Sequence, residues 1–459
     1  MSSGNTLTGA DLKRRCGVPL EQCTEHQASD AALAMGGLAR WWLRPEVLRL
    51  AAHDKHVPPE VRQQWQRQGT PELPSTPGSC WIILAQSARR RLPLLREAFV
   101  LPLVWRRGEA HSRLLPQALI SLADRVIDIV RRTFNNADGY KPLDGTWGLH
   151  PADVDNIAQQ DLRRLAFEDW KSGFVSLAGG LILANNDVGP DVHIWATGAC
   201  DGKTLCPVEN VEAKVRLAAE WGARECYVPS DSARRVKAPP GLEICDLKCG
   251  AATLAAAMED YLIALQVPPP ATADREIRKN YYRRLKDPNR RDEYFRKCLV
   301  DDVAEECRRD LLKNGEDWLN NVAGLVTIVS GAISVTLLSI VAVRPARCLI
   351  LHTSDREGDA KTIREACLHR KLPAENMVFK PFAQESMRDS MAAALEEFRR
   401  SVSGSGELVL DLTPGNKIMS LTLAMDLARC GDRLMYIDHR EKNRIVEPFS
   451  QRIVSWRKT

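Results

Sequence analysis

The sequence predicts a mixed α/β fold spread over more than one domain, and three observations carry that expectation. Short, continuous apolar runs recur at residues 80–85, 98–105 and 347–353. Runs of that length, bounded by turn residues, read as strands buried on both faces. Segments with apolar residues at helical spacing stand between such runs, the clearest at 115–132. Proline-rich punctuation at 71–77 and at Pro268-Pro269-Pro270 divides the chain, and 459 residues suffice for two to four domains.

Composition narrows the function classes. A formal charge of +5 is too small by itself to point to nucleic acid. Thirteen cysteines are scattered and odd in number. With no secretory signal at the N-terminus, they point to reduced thiols in a cytoplasm. Cys245-x-x-x-Cys249 and the pair Cys200 and Cys206 lack partner pairs at ligand spacing, so no metal site is expected.

Residues 1–78 read as a polar helical segment whose one amphipathic helix covers 31–52, closed by a linker holding Pro58-Pro59, Gly69, Pro71, Pro77 and Gly78. From Cys80 two buried strands flank a basic turn, Arg89-Arg90-Arg91, which reads as a solvated turn, and the helix at 115–132 follows. The domain opened there is expected to run over 79–265.

Its centre is Glu168-Asp169-Trp170-Lys171-Ser172-Gly173, leading into the small apolar run 174–184. Thr197-Gly198, Leu205-Cys206-Pro207-Val208-Glu209-Asn210, Lys214 and Val228-Pro229 follow. A serine hydroxyl is a poor nucleophile until a neighbouring base takes its proton. A lysine amine serves as that base when an apolar setting desolvates it. Lys214 lies in 211–219, a helical pattern that presses the amine toward a core. Ser172 stands at a helix start, where backbone N–H groups can stabilise an oxyanion. A serine there is ordinarily an N-cap and a helical lysine is ordinarily solvated; the joint spacing is what argues for a pair. Thr197 is the hydroxyl expected to orient the amine. Ser176 is the competing nucleophile, with Asp169 and the distance to Thr197 favouring Ser172.

These segments resemble the proteolytic domain of the Lon family, which uses a Ser–Lys dyad. Asp169, Ser172, Thr197-Gly198, Pro207-Val208, Lys214 and Pro229 keep the family's offsets. Trp170-Lys171 stands where the family has Gly-Pro, Glu209-Asn210 where it has Gly-Gly, and one residue is inserted between Leu205 and Pro207. The resemblance implies peptide-bond hydrolysis by Ser172 and Lys214, supported by Asp169 and Thr197. Gly-x-x-x-x-Gly-Lys-Ser/Thr occurs nowhere in the sequence, so the expectation is an ATP-independent protease that cuts accessible segments of a specific partner.

A helical connector is expected over 266–317. Its basic run at 275–297 interleaves Tyr281, Tyr282, Tyr294 and Phe295, which in principle is a nucleic-acid pattern. Glu276, Asp287, Asp292 and Glu293 fall among the cations at helical pairing distances, so a bridging helix is the reading and no direct DNA binding is expected. Residues 318–343 hold no charged residue and are long enough to span a bilayer. Ser330-Gly331 interrupts them, however, with β-branched residues before and a helical pattern after. Strand, glycine turn and buried helix is therefore the expectation, with no membrane insertion.

That order resembles the opening of the CRISPR-associated Rossmann fold, CARF, over 318–459. Leu408-Val409-Leu410-Asp411-Leu412-Thr413-Pro414-Gly415-Asn416-Lys417-Ile418-Met419 resembles that family's strand followed by Thr-Gly-Gly-Thr-Lys-x-Met. Thr413, Gly415, Lys417 and Met419 agree, and Pro414 and Asn416 depart. A tight turn feeding a helix N-terminus offers N–H groups to phosphate, and Lys417 adds a cation. Ser330, Gly331, Ser334, Thr353 and Ser354 would join the 413–417 loop from the ends of neighbouring parallel strands, where doubly wound sheets bind ligands. The resemblance implies a cyclic-oligoadenylate sensor that pairs as a homodimer. The residues do not set the ring size; cyclic tetra-adenylate is the expected activator, with no further cofactor.

Together the resemblances imply a cytoplasmic, cyclic-oligoadenylate-activated Lon-like protease of type III CRISPR defence. Its substrate would be a partner encoded nearby, a toxin–antitoxin or regulatory protein. Two alternatives stand beside it: a sensing module whose protease is inactive, which Trp170-Lys171 favours, and a CARF domain that itself degrades the cyclic nucleotide.

Overall fold

A computed structural model describes residues 7–67, 69–87, 91–135, 141–165, 170–285, 287–329, 333–370, 372, 376–383, 385–402, 406–442 and 445–459. The chain divides into two units, 1–267 and 268–459.

The first unit opens with five short helices: α1 (Gly9–Cys16), α2 (Glu25–Met35), α3 (Ala39–Trp42), α4 (Pro45–Ala51) and α5 (Pro59–Gln66). The single helix expected over 31–52 is thus broken twice. Gly36 takes φ +50°, which ends α2. Arg44 is held extended by the proline after it, which opens α4. Thr8 and Thr24 close capping boxes on α1 and α2. Trp41, Trp42 and Leu43 are buried in the same apolar core as the strands that follow, and the Trp42 indole donates to the Val100 carbonyl (2.8 Å). Residues 7–66 therefore share a core with the next domain.

β1 (Ser79–Ala85), β2 (Ala98–Arg107) and β3 (Trp147–Pro151) form an antiparallel sheet in that order. Every residue of β1 is buried, as a run of apolar residues without alternation requires. Then come α6 (Gln117–Phe134), α7 (Phe174–Asn185), β4 (Ile194–Ala196) and the ribbon β5 (Ala199–Cys200) with β6 (Leu205–Cys206). α8 (Val211–Glu220), β7 (Glu225–Pro229), α9 (Ser230–Ala233), β8 (Glu243–Leu247) and α10 (Leu254–Leu265) complete the unit. β4, β7 and β8 make a parallel sheet with β7 central. The small residues of α7 let it lie directly on β1: a Cβ on Gly180 would stand 2.6 Å from the Cβ of Cys80. Close packing of this kind leaves no room for a methyl group.

The second unit begins with α11 (Arg275–Arg284), α12 (Pro288–Cys298) and α13 (Val300–Lys313). Tyr281 packs on Tyr294 with ring centroids 4.6 Å apart and Tyr282 on Phe295 at 5.9 Å, all four buried. Base stacking needs an exposed ring face, and these faces are turned inward. The chain continues through β9 (Val322–Ile328), α14 (Ile333–Val343), β10 (Arg347–Thr353), α15 (Glu357–His369), β11 (Met377–Phe382) and α16 (Met387–Ser401). It ends with β12 (Glu407–Asp411), α17 (Lys417–Leu421) running into a π-helical turn (Thr422–Leu427), β13 (Arg433–Asp438), the ribbon β14 (Glu441–Lys442) and β15 (Ile445–Val446), and β16 (Arg452–Arg457).

The charge-free stretch 318–343 is a strand followed by α14, whose 11 residues extend roughly 16 Å against a hydrocarbon layer of about 30 Å. Among the described residues no helix is long and apolar enough to cross a membrane. The sheet runs β11-β10-β9-β12-β13-β16, parallel except for β16. It starts at its middle, moves outward through β10 to β11, then crosses over β9 to lay down β12 and β13. The order reverses between β9 and β12, the switch point of a doubly wound sheet.

Candidate functional site

Ser172 lies in one 3-10 turn, Trp170–Gly173, that runs straight into α7. Its hydroxyl donates to the Ile83 carbonyl of β1 (3.3 Å). Its own carbonyl accepts from the Gly198 amide (2.9 Å) and the Thr197 hydroxyl (3.4 Å). Thr197 thereby holds the backbone of the serine turn. A Cβ on Gly198 would sit 2.6 Å from Val175 Cγ2, so only glycine lets strand end and turn meet this closely. Of the pair replacing Gly-Pro, Trp170 is buried and Lys171 faces solvent. Asp169 lies outside the described residues. Ser176, the rival nucleophile, donates to the Ala196 carbonyl (2.7 Å), which ties α7 to β4.

Lys214 is the fourth residue of α8 and shares a buried face with Val211, Val215 and Ala218, the i−3, i+1 and i+4 positions. α8 packs on β1, β2 and β7. It begins at Asn210, φ +53°, in the left-handed region where glycine is the default and asparagine the next best tolerated. The Asn210 side-chain Nδ2 donates to the Gln86 carbonyl just past β1 (3.3 Å). Serine turn and lysine helix are thus both docked on β1. On β7, Tyr227 faces Tyr261 of α10 with ring centroids 5.4 Å apart, so strand alternation turns Cys226 to the opposite face. Burial pushes the Cys226 thiol up to about 12, and the nearby positive charge of Lys214 acts against that rise. Exposure is 1% at Ser172 and 0% at both Thr197 and Lys214. Burial is the condition under which an amine becomes a useful base.

In the second unit the C-terminal ends of β10, β9 and β12 lie side by side. Thr353 closes β10 and exposed Ser354 begins the turn after it. Ser330 and Gly331 lie outside the described residues. Ser334 is the second residue of α14, and its amide donates to the Asp292 carboxylate of α12 (3.0 Å), which also pairs with Arg296 (2.9 Å). After β12, the Thr413 hydroxyl accepts from the Ile437 amide (2.8 Å), Pro414 is buried, and Gly415 takes φ +93°, which favours glycine. Asn416 caps α17 by accepting from the Met419 amide (2.9 Å), and Lys417 is exposed at the first helical position. Beneath the loop, Asp411 has 0% exposure. It accepts from the Thr327 hydroxyl and the Thr413 amide, both at 3.0 Å. Burial raises its carboxyl above the ordinary range, against bonds from Ser339, Thr413 and Thr327 that pull it down.

Sequence reasoning missed Ile83, Asn210, Cys226 and Asp411. Asp411 carried a signal, a lone acid within an apolar strand; a main-chain acceptor such as Ile83 carries none. Among the described residues no three His, Cys, Asp or Glu side chains gather as a metal site. No known protein-family signature matches the chain, and no curated protein is detectably similar to it.

Proposed function

We propose that the chain is a Lon-like Ser–Lys protease governed by a nucleotide-sensing Rossmann-like unit, acting in type III CRISPR defence. The observation that carries the reading is the complete burial of Lys214 on a helix docked, like the Ser172 turn, on β1. Removing an ammonium from water is costly, and a lysine base is a function for which that cost has a use. In this reaction the amine takes the Ser172 proton, Oγ attacks the scissile carbonyl, and the protonated amine returns the proton to the leaving amide nitrogen. Water then hydrolyses the acyl-enzyme by the same base.

The doubly wound order and the 413–417 loop support an anionic nucleotide as the ligand. A cyclic oligoadenylate, cyclic tetra-adenylate first, suits a two-fold site built by a homodimer. Binding would shift the protein toward a state in which Ser172 is accessible to a nearby-encoded protein substrate.

The sealing of Ser172 also favours a second reading, a sensing module without peptidase activity. Incubation with the neighbouring gene product and cyclic tri-, tetra- or hexa-adenylate separates the two. Cleavage with one ring, lost in Ser172→Ala and Lys214→Ala, is the expected result. Nucleotide binding without cleavage or fluorophosphonate labelling of Ser172 would favour the sensing module.

A further inference from the structure

We propose that Asp411 is the positioning residue of the nucleotide crevice: a buried carboxylate that ties the 412–416 loop to β9 in the arrangement that receives the ligand's phosphates. The inference rests on the nucleotide reading above. Asp411 ends β12 beside β9, with Val409 opposite Leu325 and Leu410 opposite Val326. These are the two strands between which the sheet order reverses. Leu410, Val326 and Ile328 point into the core shared with α16 and α17. Alternation therefore sends Asp411 and Thr327 to the other face, toward α14.

There the carboxylate is held from two sides. One oxygen accepts from the Thr327 hydroxyl of β9 and the other from the Thr413 amide. The hydroxyl of Ser339 on α14 lies near enough to pull the carboxyl down. Cys348 of β10 lies within electrostatic reach. These neighbours are hydroxyls, an amide and a thiol, none of them cationic. An ionised carboxylate offers about four lone pairs and no donor, whereas asparagine offers one acceptor oxygen and two donors. Both oxygens accept, so an asparagine would set its NH2 against one of the two donors. Thr413 relays the constraint, its amide donating to Asp411 and its hydroxyl accepting from the Ile437 amide. The chain then turns at Gly415 and presents Asn416 and Lys417 outward. Sealed from solvent itself, Asp411 acts through the loop.

Titration calorimetry of the full chain with cyclic tetra-adenylate tests this. Wild type, Asp411→Asn and Thr327→Val are compared from mildly alkaline to mildly acidic buffer, with folding checked by circular dichroism. Asp411→Asn should bind on the order of tenfold more weakly or worse, and Thr327→Val more weakly by a smaller factor. Wild-type affinity should fall toward acid, as protonation makes Asp411 a donor, and Asp411→Asn should not share that fall. Folded variants that bind as wild type does, with the wild-type pH profile, would overturn the proposal. If Asp411→Asn fails to fold, Thr327→Val, which keeps the acid, decides it. Failure of the wild type to bind cyclic tri-, tetra- or hexa-adenylate would instead sink the nucleotide reading, and this inference with it.

Discussion

The neighbourhood of Ser172 and Lys214 and the 411–417 turn both sit where a strand or turn feeds a helix, yet they treat charge in opposite ways. In the first unit the amine, Lys214, is fully buried. In the second Lys417 faces water at a helix start, while the fully buried titratable group is the Asp411 carboxyl, which accepts from the Thr327 hydroxyl and the Thr413 amide. The contrast suits the two proposed roles. A lysine base must lose its hydration to give up its proton readily, whereas a phosphate-binding loop must offer N–H groups and positive charge to an incoming ligand. On that reading the first site would have to open and the second would already be presented.

Breaking the first side of that contrast should have the largest effect. Lys214→Met keeps the volume of the side chain and removes the amine. Ring-stimulated cleavage should fall by on the order of a thousandfold or more, with the thermal midpoint unchanged or raised, because a buried polar amine is replaced by an apolar group of similar volume. Gel assay and calorimetry of one preparation check both, and persisting cleavage would refute the dyad. On the second side, Lys417→Ala should weaken cyclic tetra-adenylate binding by about tenfold and flatten its salt dependence, with little change in folding. Titrations at two ionic strengths read this directly.

Smaller effects sharpen the comparison. Asn210→Ala loses the bond to Gln86 and leaves a Cβ without local hydrogen-bonding help in the left-handed region, and should cost about 1 kcal/mol or more in denaturant unfolding; Asn210→Gly loses only the bond and should cost less. The smallest effect concerns Asp411. Its carboxyl is raised in the folded state above the ordinary 3.8, so the fold favours the protonated form. The stability it contributes relative to Asp411→Asn should be fullest in acid and fade as pH rises through the folded value. Paired thermal melts across that interval measure it, and a margin that grows with pH would contradict the assignment.

Much of the local structure was legible in the residues. The runs at 80–85, 98–105 and 347–353 are strands, and the helix expected over 115–132 spans Gln117–Phe134. In the charge-free stretch 318–343 a strand ends at Ile328 and a helix begins at Ile333, with Ser330 and Gly331 outside the described residues. Such features are local because apolar periodicity and turn residues act over a few positions. The run at 31–52 was misread for an equally local reason: Gly36 and Pro45 outweigh its amphipathic pattern.

By itself, then, the sequence determined which segments are strands and helices and which face of each is apolar. Tertiary structure alone decided how deep those faces go. Only packing on β1, β2 and β7 carries Lys214 to full burial rather than to a half-exposed flank. Only the pairing of β12 with β9 sets Thr327 beside Asp411, 84 positions apart in sequence. Periodicity assigns a side, but burial and hydrogen-bond partners depend on contacts between distant segments, which no local pattern encodes.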